Sequence, residues 1–197
     1  MLLYQHFVMA KCVQQQQPTV QGKEEKMTHY TTQMDAARHG IITSQMEIVA
    51  EKEHFDVDEL RKLIAKGQVI IPCNKNHKCI SPSGVGAKLT TKINVNLGVS
   101  RDWKDVDMEY EKVHSAVEMG AEAIMDLSSY GDTRSFRRKL TSECPAMIGT
   151  VPIYDAVAYY HKALGKITSE EWIDIVRMHA EDGVDFMTIH CGMNRAT

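Results

Sequence analysis

Ile93, Val95 and Leu97 alternate with Asn94 and Asn96 and run into Gly98, a period of two that predicts a short strand over Thr91–Gly98 with two amides near its end. The same logic returns three times downstream. Ala123–Leu127, Met147–Pro152 and Val184–His190 are apolar runs, each closed by a polar residue, Gly or Pro. Between them the period changes to that of a helix. Trp103, Val106, Tyr110, Val113 and Val117 are spaced 3, 4, 3 and 4, and Gly120 ends the run. Thr133–Leu140 reads as a charged helix. Thr168 with Glu171 reads as a capping box opening a helix that carries Trp172, Ile175, Val176 and Met178 and stops at Gly183. The result is βαβαβαβ with strands roughly 25–40 residues apart, the spacing of βα units in a parallel sheet.

Upstream the pattern differs. A helix from about Thr31 carries Met34, Ala36 and Ala37 and stops at Gly40. Ser44 with Glu47, and Asp56 with Glu59, each form the sequence pattern of a capping box, and Gly67 suits the position after the last turn. Val69–Pro72 reads as a brief strand, 74–78 as a polar loop, and Gly84–Gly86 as a turn. Residues 1–27 contain the polar tract Gln14–Gln17 and are expected to be a disordered extension. The expected organisation is thus 1–27 extension, 28–88 mainly helical segment with a short strand, and 89–197 four βα units.

In parallel sheets chemistry gathers at the C-terminal ends of the strands. Those ends carry Asn96, Met125 with Asp126, Tyr154, and His190 with Cys191, a set suited to a polar small molecule. A net charge of −3 gives no electrostatic footing for nucleic acid or an anionic membrane. The cluster Arg134, Arg137, Arg138 and Lys139 reads as a solvated helix face. Five cysteines, with no Cys-x-x-Cys among them, suggest reduced thiols and a cytoplasmic protein. Cys73 and Cys79 flank His77, but two sulfurs and one imidazole make an incomplete metal site. No apolar run is long enough to cross a bilayer.

Several long strings resemble the phosphomethylpyrimidine synthase family. They are 31–37, 40–43, Ile71-Pro72-Cys73-Asn74-Lys75-Asn76-His77, Lys92–Gly98, Met125–Ser128, Gly149–Tyr154 and Gly183–His190, covering about residues 28–197. Cys73 stands where the family pattern has Ala. The resemblance implies an α/β fold, the first half of a (β/α)8 TIM-type barrel behind a small helical segment. It implies a radical S-adenosylmethionine lyase that converts 5-aminoimidazole ribotide to hydroxymethylpyrimidine phosphate for thiamine biosynthesis. It also implies a [4Fe-4S] cluster, S-adenosylmethionine, zinc and a homodimer. Its substrate contacts map onto Asn96, Met125, Tyr154 and His190, with no catalytic residue assigned.

The Cys-x-x-Cys-x-x-x-x-Cys of the family, its later substrate loops and its metal-binding His residues do not occur in this sequence. The resemblance implies that the cluster cysteines and the metal-binding histidines lie beyond Thr197. The expectation is an N-terminal fragment, inactive alone, with no metal ligand of its own. A related hydroxybenzimidazole synthase and a non-catalytic ribotide-binding protein stay open as alternatives.

Overall fold

The computed structural model describes residues 30–190. The expected extension, Cys12, Cys191 and the last expected barrel residue, Thr197, lie outside these residues. The fourth βα unit, expected to run to Thr197, is therefore described only as far as His190.

Three helices open the described chain: α1 (Gln33–Arg38), α2 (Ser44–Lys52) and α3 (Val57–Ala65). Their starts are local chemistry. Thr32, Thr43 and Asp56 each accept a backbone N–H of the first turn through a side-chain oxygen. The cap of α2 is therefore Thr43, one residue before the expected Ser44, which lies inside the first turn. Ala36, Ala37, Met46, Val49, Leu60, Leu63 and Ile64 pack into one buried core with Val69. β1 (Val69–Ile70) pairs antiparallel with β2 (Val85–Gly86), so the expected Gly84–Gly86 turn is in part a strand.

The second part is a four-stranded parallel sheet in the order β3 (Asn94–Leu97), β4 (Ala123–Asp126), β5 (Met147–Thr150) and β6 (Phe186–Met187). No reversal of strand order occurs among these four described strands. Between the strands run α4 (Val106–Glu118), α5 (Thr133–Glu143), α6 (Pro152–Tyr160), a short 3₁₀ turn (Leu164–Lys166) and α7 (Ser169–Glu181). Val95, Ile124 and Ile148 form one register row. With Val113, Ala116, Phe136 and Leu140 they make the sheet–helix core.

Three boundaries differ from the sequence reading. α4 starts after Asp105, whose carboxylate caps Met108 N–H, so Trp103 precedes the helix in an exposed turn. The fourth strand is paired only at Phe186–Met187, with Thr188 N–H adding one bond to the Thr150 carbonyl. Residues 152–160 are a helix that the apolar-run pattern did not reveal. Pro152 starts it, because proline has the helical φ and lacks an N–H that the first turn leaves unused. The capping box at Thr168 and Glu171 is present as expected.

A polar latch joins the two parts. The Asn74 amide donates to the Ala180 and Val184 carbonyls, and the Asn76 amide to the Glu181 carbonyl. The buried His77 ring places Nδ1 2.7 Å from Asp185 and Nε2 2.7 Å from the Cys144 carbonyl. With both nitrogens engaged, His77 fastens its loop to Asp185 and to the end of α5.

Candidate functional site

Strand alternation gives the sheet two chemically different faces. Val95, Ile124 and Ile148 face the helices. The row Asn96, Met125, Gly149 and Phe186, in register across all four strands, faces the other way. Asn96 is exposed on this face, and its Oδ1 accepts from the Asn94 amide at 3.2 Å. Met125 is buried beside it. At Gly149 a Cβ would stand 2.3 Å from the Phe186 ring and 2.9 Å from Met125 Sδ. The ring of Phe186 thus occupies the space that glycine leaves, and the row forms an amide–thioether–aromatic floor.

Tyr154 and His190 stand past the ends of β5 and β6. Their ring centroids are 6.2 Å apart with planes tilted by 38°. Tyr154 is not at a strand exit, as the sequence suggested, but in the first turn of α6. The structure therefore brings the four expected residues together as two pairs. Asn96 and Met125 are register neighbours on the floor, and Tyr154 and His190 face one another on the rim. Phe186 is a floor residue that the sequence reading missed. Its signal was there, since 186 and 190 share one parity in the run 184–190.

None of the four borders either of two cavities among the described residues. A cavity of about 100 Å³ lies beside the rim between the loops after β3 and β4, bordered by Val99, Lys104, Tyr130 and Asp132. A larger one, about 390 Å³, lies between α1, β1 and Val184–Asp185, at the opposite end of β6.

Beneath the rim, the helix side of the sheet holds a buried ionic cluster. Arg137 is 1% exposed and pairs with Asp155 (3.1 Å) and Asp182 (3.0 Å), which corrects the solvated reading of this helix face for Arg137. Arg134 and Arg138 reach Asp182 from outside. Burial would raise the Asp155 carboxyl, but hydrogen bonds from His179 and Thr133 and the charge of Arg137 outweigh it and hold it down at about 2.

Asp126 shows the opposite balance. Burial pushes it up to about 6, against its hydrogen bonds from Ser128 and the charge of Arg137. The folded state thus binds this proton more tightly than the unfolded chain. Stability from Asp126 is fully present below the ordinary value of 3.8 and is lost as pH rises through about 6. An amide keeps the acceptor for Ser128 N–H without the charge. Asp126→Asn is expected to stabilise the protein by about 2 kcal/mol at pH 7 and to have no effect at pH 3.5. Urea unfolding at the two pH values checks this, and equal effects at both would contradict it.

The cluster ligands of a radical S-adenosylmethionine enzyme must be thiolates. The described cysteines form no such group of ligands. Burial drives Cys73 up to about 11 and also raises Cys144, while the Cys79 thiol donates to the Ser142 carbonyl. Among the described residues no three His, Cys, Asp or Glu side chains converge as a metal site. No helix among them is long and apolar enough to cross a membrane.

Comparison with known proteins adds the last observation. The model of the radical SAM ThiC family matches residues 32–197, from Thr32 to Thr197. Over 168 residues the chain is 64% identical to a phosphomethylpyrimidine synthase of Clostridioides difficile and 63% identical to one of Alkaliphilus oremlandii. A third, from Clostridium novyi, is 63% identical over 169 residues. These alignments cover 85–86% of this chain. The chain spans only 38–39% of the length of these curated relatives.

Proposed function

The chain belongs to the radical SAM ThiC family, and on that premise we propose that it supplies a substrate cradle of a phosphomethylpyrimidine synthase. The reaction of the whole enzyme would convert 5-aminoimidazole ribotide, with S-adenosylmethionine, to 4-amino-5-hydroxymethyl-2-methylpyrimidine phosphate in thiamine biosynthesis, as a carbon–carbon lyase. The observation that supports the reading is the placement of the four candidate residues as two pairs, Asn96 beside Met125 in adjacent parallel strands and Tyr154 beside His190 past the ends of β5 and β6.

Each side chain suits part of that substrate. The Asn96 amide both donates and accepts, and so matches a ring amine or a ribose hydroxyl. Met125 offers a polarisable apolar wall to the flat imidazole. The Tyr154 hydroxyl and a ring N–H of His190 donate to phosphate oxygens. Sequential strand order supports a (β/α)8 barrel of which these are four strands, in keeping with the 39% share of the relatives' length. A homodimer and a zinc ion belong to the same proposal through the resemblance alone, as does the placing of the cluster and metal ligands beyond Thr197. The family's cluster and S-adenosylmethionine would supply the radical, and no cluster-binding group of cysteines occurs among the described residues. The chain alone is therefore expected to bind the ribotide without converting it.

Isothermal titration of the 197-residue chain with 5-aminoimidazole ribotide tests this. Binding is expected, weakened about tenfold in Asn96→Ala and in His190→Ala, the cost of one hydrogen bond each to a polar or charged group. A folded chain that binds no ribotide would falsify the reading.

A further inference from the structure

One buried imidazole spans the turn that carries Tyr154. His179, on α7, is 2% exposed. Its Nδ1 lies 2.9 Å from the Thr150 hydroxyl and its Nε2 lies 2.9 Å from the Asp155 carboxylate. Thr150 is the last residue of β5, and Asp155 lies in the first turn of α6. The ring therefore grips both ends of the segment 150–155, and Tyr154 lies within the grip.

The chemistry of the contacts fixes the tautomer. A carboxylate only accepts, so Nε2 must carry the hydrogen. Burial, aided by the charge of Arg137, lowers the pKa of the ring against the pull of Asp155, which favours the neutral form. Nδ1 is then an acceptor, and the Thr150 hydroxyl donates to it. Thr133 donates to the other Asp155 oxygen, and Arg137 Nη1 donates to the same oxygen as His179. Within the segment Val151 and Pro152 are buried and the Tyr154 N–H donates to the Val151 carbonyl, while the Tyr154 side chain is exposed. Val151 caps α6 without a side-chain hydrogen bond, and His161 ends that helix in the left-handed region.

We propose that His179 is a positioning residue, whose imidazole clamps Thr150 to Asp155 and so sets the β5–α6 turn that presents Tyr154 to His190. This deepens the function proposed above and rests on it for its link to substrate. The clamp itself concerns only atoms of the free chain. It explains why an otherwise unused histidine sits in the core between two elements whose junction lies at the rim. It acts through the backbone of residues 151–154 and does not touch the floor.

The test uses the whole 197-residue chain with labelled histidine and tyrosine. The His190 ring protons report the neighbouring Tyr154 ring, and Tyr154→Leu gives the reference for its loss. In His179→Leu, the His190 and Tyr154 resonances are expected to move, with His190 approaching that reference. In His179→Gln, whose amide can donate to Asp155 and accept from Thr150, they are expected to stay near the parent positions. A folded His179→Leu variant with unmoved resonances would overturn the clamp, as would a glutamine variant no closer to the parent than leucine is. If the leucine variant does not fold, Thr150→Val decides, since it removes one arm only. A shifted His190 then supports the clamp, and an unshifted one overturns it.

Ribotide titration of the same proteins separates the two proposals. The leucine variant is expected to bind about tenfold more weakly than the parent, and the glutamine variant within about threefold of it. A parent chain that shows the resonance pattern yet binds no ribotide would sink the substrate reading and leave the clamp supported. A parent that binds, with variants whose resonances do not move, would sink the clamp alone.

Discussion

Arg137→Met is expected to destabilise the protein by about 3–5 kcal/mol at pH 7, because it strips the charge partner from a buried carboxylate. Methionine roughly fills the volume, so the loss is electrostatic more than steric. Asp182 keeps Arg134 and Arg138 at its edge, whereas Asp155 keeps only Thr133 and His179. The penalty therefore falls mainly on Asp155. The pH dependence follows from the depressed pKa of that carboxyl. In the parent, Asp155 contributes stability that is present above its ordinary value of 3.8 and is lost as pH falls through about 2. In the variant Asp155 is held down less, so the gap between the two proteins narrows below about pH 4. Urea unfolding from pH 7 to pH 3 measures that gap. A constant gap over the range would mean that Arg137 matters as a packing element and not as a charge.

Gly98→Ala should be nearly as costly. Gly98 ends β3 at φ +146°, where L side chains are strained, and a Cβ there would meet Ser128 N at 2.5 Å and the Leu127 carbonyl carbon at 2.8 Å. Both are backbone atoms just beyond β4, so no rotamer change relieves the contact. The Gly98 N–H also donates to the buried Glu109 carboxylate at 2.8 Å, which ties the strand end to α4. Backbone strain of about 1–3 kcal/mol and overpacking of similar size together predict a loss of about 2–6 kcal/mol. Gly165→Ala is the control, since open space surrounds its added Cβ. It should be neutral or slightly stabilising. The two unfolding midpoints settle the matter, and equal midpoints would remove the argument for Gly98.

The alternation at 93–97 and the apolar run at 123–127 suffice to put Asn96 and Met125 on strands, and parallel register sets them side by side on one face. Two residues in adjacent strands that face the same way remain neighbours wherever the sheet sits. Tyr154 differs in position from the strand exit that the sequence suggested. It is at the rim as expected, but a helix turn holds it there. Pro152 was the available signal for that helix, read instead as the end of a strand. Phe186 shares the parity of His190, but both parities of the run 184–190 carry apolar residues, so alternation alone did not single it out.

The polar core was the least legible part. Arg134, Arg137, Arg138 and Lys139 look alike as letters, yet Arg137 is buried and Arg138 is exposed. Helical spacing shows which side chains share a face, but not whether carboxylates wait there. Those carboxylates come from 18 and 45 residues further along. His77 likewise finds Asp185 across 108 residues, and nothing local to either foretells the pair.

The sequence by itself therefore determined the helix caps, the strand parity, the order of βα units and the family strings, all set by residues within about four positions of one another or by direct resemblance. Only the tertiary structure decided which charges are buried, which imidazole clamps the rim and which loop latches the two parts. A charge or a polar ring enters a core only when distant partners arrive with it, since burial without them costs several kcal/mol, and that meeting is arranged by the packing of the whole chain.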